Sequence, residues 1–99
     1  MAGGESMRGD QPQIIKARIQ NQKGLHARAA AKFVKVANAY DADIRVVKGE
    51  TDVEGRSIMG LMMLAAGIGC EIELRASGPG AGPALAALVD LIDRKFDEE

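Results

Sequence analysis

The sequence predicts a small α+β domain in which a four-stranded sheet carries helices on one side only. Four short segments alternate apolar with charged residues, which is the period of a half-buried strand, and three others carry apolar residues at helical spacing. Their order along the chain is βαββαβα. Because each strand needs one covered face and each helix has one apolar stripe, all of these elements must share a single core.

The first quarter of the chain contains an extension, a strand and a turn. Residues 1–12 combine three glycines and a proline with scattered charges, so we expect a disordered extension and a folded domain over residues 13–99. Residues 13–20 alternate isoleucine or alanine with lysine, arginine or glutamine and predict the first strand. Residues 21–25 then form the turn.

An amphipathic helix is predicted over residues 27–40, and a hairpin follows it. The apolar positions of this helix share one face and are Ala30, Phe33, Val34 and Ala37. Residues 44–47 and 51–54 are short apolar segments on either side of Gly49-Glu50. This arrangement favours a second and a third strand joined by a tight turn.

The second half of the chain predicts two helices and one more strand. Ser57 precedes a compact apolar segment, residues 58–66, which predicts a helix with Ser57 as its N-cap and Gly67 at its C-terminal end. Residues 70–76 alternate again and predict the fourth strand. A Gly- and Pro-rich link then leads to the last helix, from Ala84 to about Lys95, whose apolar stripe is Leu85, Leu88, Val89 and Ile92.

The composition excludes several classes of partner and site. The net charge is -1 and the only aromatics are one tyrosine and two phenylalanines, so nucleic acid is not an expected partner. No segment has the apolar length of a membrane helix, and the N-terminal residues lack the apolar centre of a secretory signal, which favours a cytosolic location. One cysteine and one histidine cannot form a disulfide or a Cys/His zinc site within the chain. We expect no metal and no cofactor, and we expect Cys70 to be a small buried residue.

The single histidine, His26, lies where a glycine turn gives way to a helix, in the run Gly24-Leu25-His26-Ala27-Arg28. A histidine at a helix N-terminus lies beside unpaired N–H groups and the positive end of the helix dipole, and Arg28 adds a fixed cation. These features disfavour a protonated ring, so the imidazole should be largely neutral and nucleophilic near neutral pH. The same features would hold the negative oxygens of a phosphoryl group carried on the ring.

Two motifs give the chain a resemblance to a known family. One is Gly24-Leu25-His26-Ala27-Arg28, and the other, which begins 31 residues after His26, is Ser57-Ile58-Met59-Gly60-Leu61-Met62-Met63-Leu64-Ala65. With this spacing and element order, the chain from Gln13 onward resembles HPr, the histidine-containing phosphocarrier protein of the phosphoenolpyruvate-dependent phosphotransferase system. The resemblance covers about 85 residues. It implies an open-faced β-sandwich, that is, a four-stranded antiparallel sheet with three helices on one face.

The resemblance implies a phosphoryl carrier rather than an enzyme. His26 would accept a phosphoryl group on Nδ1, as a pros-phosphohistidine, from enzyme I charged by phosphoenolpyruvate, and would pass it to a histidine of an enzyme IIA domain. Arg28 would assist, and the phosphate-binding positions would be Gly24, Ala27, Arg28 and Ala29. Phosphoryl transfer needs mainly positioning and charge stabilisation, so such a monomeric carrier requires no metal or base of its own. The sequence leaves open whether the relay ends in sugar uptake or in the nitrogen-related branch.

Two positions near His26 depart from the family pattern. The family usually has proline directly after the arginine, and this chain has Ala29. Alanine is an excellent helix former, so the helix should survive with less rigidity and one extra N–H in its first turn. The residue before Gly24, often small and polar in the family, is Lys23. It either adds a second cation near the phosphoryl group or extends into water.

Ser57 has two roles that do not exclude each other. A serine before an apolar helix is a natural N-cap. In part of the HPr family the matching serine is also a regulatory site, phosphorylated by an ATP-dependent kinase and dephosphorylated by a phosphorylase. About two added negative charges at a helix N-terminus would leave the helix intact but would weaken docking on the apolar surface beside it. The sequence permits this control without showing that such a kinase exists.

The segment after Ser57 is apolar on more faces than one helix stripe requires. Leu61 and Leu64 are the expected core residues, while the resemblance places Ile58, Met59 and Met62 in a docking face beside the histidine. Flexible methionines suit a surface that must fit several partners in turn. Two lysines of the preceding helix either surround this surface and attract acidic partners or form an ordinary solvated helix face; they are Lys32 and Lys35.

Three other classes of function are weaker matches to the sequence. A plain binding or scaffold domain would need no His26. A regulatory relative that acts through Ser57 alone would be expected to lack the histidine, which is present here in an intact motif. A self-sufficient enzyme is the least supported, because there is one histidine and neither a paired-carboxylate nor a nucleotide-binding motif.

Overall fold

The computed structural model describes residues 12–98. The expected disordered extension, residues 1–12, lies outside the described residues except for Pro12 and stays a prediction. The folded part has the predicted order βαββαβα. Its elements are β1 (Gln13–Arg18), α1 (Ala27–Ala37), β2 (Asp43–Lys48), β3 (Thr51–Glu54), α2 (Ile58–Met63), β4 (Glu71–Ser77) and α3 (Ala81–Asp93), followed by a C-terminal turn at Lys95–Asp97.

The four strands form one antiparallel sheet with the order β1-β4-β2-β3. The predicted hairpin is present, since β2 pairs with β3 in a register that sets Val46 opposite Val53. Strand β4 lies between β1 and β2, with Ala17 opposite Ile72 and Leu74 opposite Val46. This sheet with its three helices confirms the predicted α+β class and the open-faced β-sandwich.

The core lies between one face of the sheet and the helices. Alternate residues of the two central strands face it and are at most 1% exposed, namely Ile44, Val46, Ile72, Leu74 and Ala76. From the helix layer, Phe33 of α1 and Leu88 and Ile92 of α3 belong to the same fully buried cluster. The strand period and the helix period in the sequence therefore converge on a single apolar layer.

Strand β1 is less covered than its alternation predicted. Ile14 is 56% exposed and Ile15 is 39% exposed. Ile14 pairs with Arg75 and so lies on the outer face of the sheet, whereas Ile15 pairs with the buried Leu74. Strand β1 is more exposed because it lies at the edge of the sheet and has a neighbouring strand on one side only. Ile19, just beyond the end of the strand, is fully buried.

Helix α1 begins at Ala27 as predicted but ends at Ala37, three residues before Tyr40. The Arg56 guanidinium donates to the carbonyl oxygens of Ala37, Tyr40 and Ala42, at 3.1, 2.9 and 2.8 Å. These bonds add donors to carbonyls at and just beyond the C-terminal end of the helix, and a cation is favourable at that end of the dipole. The helix ends early because a distant arginine supplies its C-terminal hydrogen bonds.

Helix α3 spans Ala81–Asp93, although the sequence predicted a helix from Ala84 to about Lys95. Pro83 lies inside the first turn, where a residue without an N–H loses no intrahelical bond. The first bond of the helix runs from the Ala84 N–H to the carbonyl oxygen of Gly80, at 2.9 Å. The predicted start at Ala84, after the proline, is therefore wrong by three residues.

Helix α2 ends at Met63, and the expected C-terminal role of Gly67 is wrong. The residue in the left-handed region is Ala65, with a φ of 53°, so the chain leaves the helix before Gly67. The carbonyl oxygen of Ala66 then accepts a hydrogen bond from the N–H of Leu25 at 3.0 Å. This contact binds the end of α2 to the turn that precedes α1 and brings the two sequence motifs together.

Candidate functional site

The turn before α1 sets the position of His26. Gly24 has a φ of 65°, and Leu25 is 5% exposed and anchors the turn in the core. His26 is the extended residue directly before the helix, with φ -75° and ψ 178°, and its carbonyl oxygen accepts the first helical bond from Ala30 at 2.8 Å. The structure therefore places the histidine at the helix N-terminus, as predicted.

The first turn of α1 contains the other predicted phosphate-binding positions. Ala27 and Arg28 are exposed, whereas Ala29 is fully buried. The N–H groups at the start of a helix have no carbonyl partner within it, so they are available to an anion. The His26 side chain makes no capping hydrogen bond to them.

The imidazole lines a cavity of about 250 Å³ together with three basic side chains and two carboxylates. Lys23 lies on its wall, in agreement with the alternative that it adds a second cation beside the histidine. Lys32 also lines the cavity, while Lys35 is exposed one turn away and is not among its lining residues. The full lining is Gln22, Lys23, His26, Arg28, Lys32, Asp97 and Glu98.

A carboxylate that no sequence motif predicts, Glu98, contacts the histidine. Oε2 of Glu98 is bonded to Nε2 of His26, and Oε1 accepts a hydrogen bond from Nδ2 of Asn21 at 3.0 Å. Burial acts to raise the pKa of Glu98, but the hydrogen bonds from Asn21 and His26 and the charge of Lys23 lower it below its ordinary value. The negative charge of Glu98 opposes the positive field that the sequence analysis attributed to Arg28 and the helix.

The C-terminal turn that carries Glu98 has an unusual backbone. Lys95, Phe96 and Asp97 all have positive φ values, 58°, 55° and 61°, so the right-handed helix has ended before Lys95, the predicted end of the last helix. Phe96 is fully buried, and its carbonyl oxygen accepts a hydrogen bond from Nζ of Lys32 at 2.7 Å. Arg94 donates to Asp97 at 3.0 Å, and this bond lowers the pKa of Asp97 below its ordinary value. The single aromatic residue in this polar tail was the one signal in the sequence that the tail docks.

The second motif forms the other side of the site. Oγ of Ser57 accepts a hydrogen bond from the N–H of Gly60 at 2.9 Å, which confirms the predicted N-cap. Leu61 and Leu64 are buried, as expected for core residues, at 0% and 3% exposure. The remaining large side chains of the helix are exposed by 40 to 74% and are Ile58, Met59, Met62 and Met63.

Met62 connects the exposed apolar surface of α2 to the histidine. It lines a cleft of about 290 Å³ together with His26, Leu25 and the chain that follows α2. Ile58 and Met59 lie at the N-terminal end of the same short helix, with exposures of 40% and 74%. The structure therefore supports an apolar surface that begins at the histidine.

Gly24→Ala is expected to destabilise the fold by about 2 to 4 kcal/mol. A Cβ at Gly24 would lie 2.3 Å from the carbonyl oxygen of Ala66, and the φ of 65° is itself unfavourable for alanine. Gly49→Ala is the matched control, because Gly49 has a φ of 61° and open space around it, so it should cost about 1 kcal/mol. Denaturant midpoints of the two variants measure the difference, and equal midpoints would contradict the close packing of Gly24.

Two remaining expectations concern Cys70 and bound metal. Cys70 is half-buried rather than buried, because it lies in the loop before β4, where its carbonyl oxygen pairs with Ile19. Within residues 12–98, no group of three or more His, Cys, Asp or Glu side chains is arranged to hold a metal ion. Over the same residues, no helix is both long enough and apolar enough to cross a membrane.

Comparisons with known proteins match most of the chain. The family model described as PTS HPr component phosphorylation site matches residues 15–94. A phosphocarrier protein HPr of Pseudomonas aeruginosa is 51% identical over 85 residues, which cover 85% of this chain and 94% of that protein. A phosphocarrier protein NPr of Shewanella violacea is 46% identical over 80 residues, with 81% and 88% coverage. The crystal structure of HPr-C-His from Thermoanaerobacter tengcongensis has a TM-score of 0.84 at 42% identity and covers 88% of this chain and 98% of that chain.

The matched region includes both the turn that carries His26 and the helix that follows Ser57. The relatives are similar to this chain in sequence over most of their length, and the solved structure agrees with it in fold. The chain therefore belongs to the HPr family and is a phosphocarrier protein of the phosphotransferase system.

Proposed function

We propose that Nδ1 of His26 accepts a phosphoryl group from enzyme I, charged by phosphoenolpyruvate, and passes it to a histidine of an enzyme IIA domain. The observation that carries this proposal is the bond between Nε2 and Glu98. A carboxylate can only accept a hydrogen bond, so Nε2 is the protonated nitrogen and Nδ1 of the neutral ring keeps a lone pair. Within residues 12–98, Nδ1 has no hydrogen-bond partner to occupy that lone pair.

The cations around the ring support the stability of the phosphorylated form. The first turn of α1 offers free N–H groups, and Arg28 is close enough to line the same cavity as the histidine. Lys23 and Lys32 add two more positive charges on the cavity wall. These positive charges stabilise the negative charge on the oxygens of a transferred phosphoryl group, so no metal ion is needed. The chain then acts as a covalent carrier in the relay and not as an enzyme.

Incubation with phosphoenolpyruvate and a heterologous enzyme I tests the proposal. We expect an adduct of one phosphoryl group per chain that is labile in acid and stable in base, with a ³¹P resonance typical of a phosphoryl group bonded to Nδ1 of histidine. Purified enzyme IIA proteins of the sugar and the nitrogen-related branches, added in separate reactions, identify the acceptor by the loss of that adduct. An acid-stable adduct, or no adduct with active enzyme I, would contradict the proposal.

The exposed apolar surface of α2 is proposed to dock both partners. Met59→Asp should slow transfer from enzyme I by about tenfold, because a charge would have to be buried on docking. Met59 is 74% exposed, so the free energy of unfolding should change little. Ile14→Asp is the matched control, since Ile14 is 56% exposed on the outer face of the sheet, opposite the helices. If both variants slowed transfer equally, the docking surface would be wrongly placed.

We propose Ser57 as a regulatory phosphorylation site for an ATP-dependent kinase, reversed by a phosphorylase. Ser57→Asp keeps an N-cap oxygen and adds a negative charge beside the docking surface, so it should slow transfer about tenfold with little loss of stability. Ser57→Ala should transfer at the wild-type rate but lose about 1 kcal/mol of stability with the Gly60 hydrogen bond. Equal slowing in both variants would assign the effect to the lost cap instead of the charge.

The proposed carrier is a cytosolic monomer. The apolar surface of α2 and the single histidine are sufficient for successive encounters with an enzyme I and an enzyme IIA partner, so the proposed site needs no second copy. Light scattering of the purified chain measures the oligomeric state directly. A dimer that blocks labelling of His26 would contradict this part of the proposal.

A further inference from the structure

The ring of His26 is held from the far end of the chain. Glu98 lies 72 residues away in sequence, yet its carboxylate is bonded to Nε2 and its side chain is only 14% exposed. The second carboxylate oxygen accepts from Nδ2 of Asn21, which is itself fully buried. The C-terminal turn and the segment before α1 therefore share one hydrogen-bonded chain that ends on the imidazole.

The amide of Asn21 can have only one orientation in this chain of bonds. Its Nδ2 donates both to the carbonyl oxygen of Gly24, at 2.9 Å, and to Oε1 of Glu98, at 3.0 Å. Both of these partners are acceptors, so the opposite orientation would set oxygen against oxygen. Asn21 thus fixes the Glu98 carboxylate relative to the turn that carries His26.

We propose that Glu98 is a positioning residue that keeps the proton of His26 on Nε2 and the lone pair on Nδ1, ready for the phosphoryl group. The inference rests on the proposed transfer through Nδ1. It assigns to the C-terminal tail the role that a carboxylate has beside the histidine of a serine-protease triad, where it selects the tautomer and stabilises the charged ring.

The step balances without movement of a proton. The Nδ1 lone pair forms the new N–P bond while the bond between phosphorus and the donor nitrogen breaks, and that electron pair leaves with the donor. The ring keeps its proton on Nε2 and becomes positively charged, and the Glu98 carboxylate lies against that charge. On transfer to the acceptor, the N–P electron pair returns to Nδ1 and the ring is neutral again.

The Glu98 carboxylate is hydrogen-bonded to Nε2, while Nδ1 has no hydrogen-bond partner within residues 12–98. The cavity that Glu98 shares with His26 is also lined by Lys23, Arg28 and Lys32. Three cations line the cavity against two carboxylates, Glu98 and Asp97, so positive side chains still outnumber negative ones where the phosphoryl group would bind. The buried Phe96 and the bond from Lys32 to its carbonyl oxygen keep the tail in place.

Glu98→Gln is the decisive variant. The amide oxygen of the new glutamine should accept the hydrogen bond from Nδ2 of Asn21. The amide NH₂ then faces Nε2 of His26 as a donor, which favours the tautomer with the proton on Nδ1. We expect the ¹⁵N resonances of the neutral ring, measured at about pH 8, to move from the Nε2–H tautomer toward the Nδ1–H tautomer. Phosphorylation by phosphoramidate, which loses ammonia as Nδ1 attacks, should slow by about 10- to 100-fold.

Asp93→Asn is the matched control. Asp93 accepts a hydrogen bond from Gln20 at 3.1 Å, so the pair joins the same two parts of the chain as Asn21 and Glu98 but does not touch the ring. This variant removes the same charge and should keep the wild-type tautomer and rate. The inference is overturned if Glu98→Gln keeps the wild-type tautomer and rate, or if Asp93→Asn changes them equally. Because phosphoramidate and ¹⁵N spectra need no partner protein, a failure of the enzyme I relay alone would overturn the proposed function and leave this test intact.

Discussion

His26→Ala is expected to abolish phosphoryl transfer from enzyme I completely. His26 is the only histidine in the chain, so no second imidazole can accept the group. Loss of the nucleophile removes the covalent step itself and does not merely slow it. The measurement is the amount of acid-labile adduct formed with phosphoenolpyruvate and enzyme I.

His26→Gln separates the loss of chemistry from a loss of structure. Its side-chain NH₂ can still donate to the Glu98 carboxylate, whereas alanine leaves Oε2 of that mostly buried carboxylate without a donor and Asn21 as its remaining partner. We therefore expect no adduct with either variant but a higher unfolding midpoint for His26→Gln. Labelling of either variant at the wild-type level would show that another residue is the acceptor.

Phe96→Ala is expected to lower the free energy of unfolding by about 3 to 5 kcal/mol. Phe96 is fully buried, although it lies close to the end of the chain in a turn with positive φ values. Its removal leaves a cavity and also frees the turn that delivers Glu98 to His26. Denaturant unfolding measures the stability, and the ¹⁵N spectrum of His26 reports whether Glu98 is still in contact with the ring.

Phe96→Leu is the control for this effect. It keeps most of the apolar volume, so it should cost about 1 to 2 kcal/mol and leave the tail docked. A loss below about 1 kcal/mol in Phe96→Ala would contradict the packing of the C-terminal turn. If Phe96→Ala shows the expected loss of stability but an unchanged ¹⁵N spectrum of His26, Glu98 holds its position without Phe96.

The fold was predictable to the level of element order because the periodicities are local. The alternation in residues 70–76 and the apolar stripe that includes Phe33 depend on neighbouring positions, and both faced the core as expected. The N-cap at Ser57 was also correct, since a cap involves residues three apart. The helix ends were less predictable, because Arg56 satisfies the end of α1 from a different part of the chain.

In the candidate site, too, local features were predictable from the sequence and contacts between distant residues were not. The placement of His26 at the start of α1 was correct because the Gly24 turn and the helix are adjacent in sequence. Glu98 was missed, since nothing in a polar C-terminal tail indicates which carboxylate will return to the histidine. The interpretation of Lys32 was incomplete for the same reason, because its carbonyl partner belongs to Phe96, 64 residues away.

The sequence by itself determined the βαββαβα order, the histidine at a helix N-terminus and the two motifs that identify the family. These features depend on side chains a few residues apart, where periodicity, caps and turns act. Only the tertiary structure decided where the helices end and that Glu98 is bonded to Nε2 of His26. Those outcomes require hydrogen bonds between residues 14 to 72 positions apart, which form only after the core has brought distant segments together.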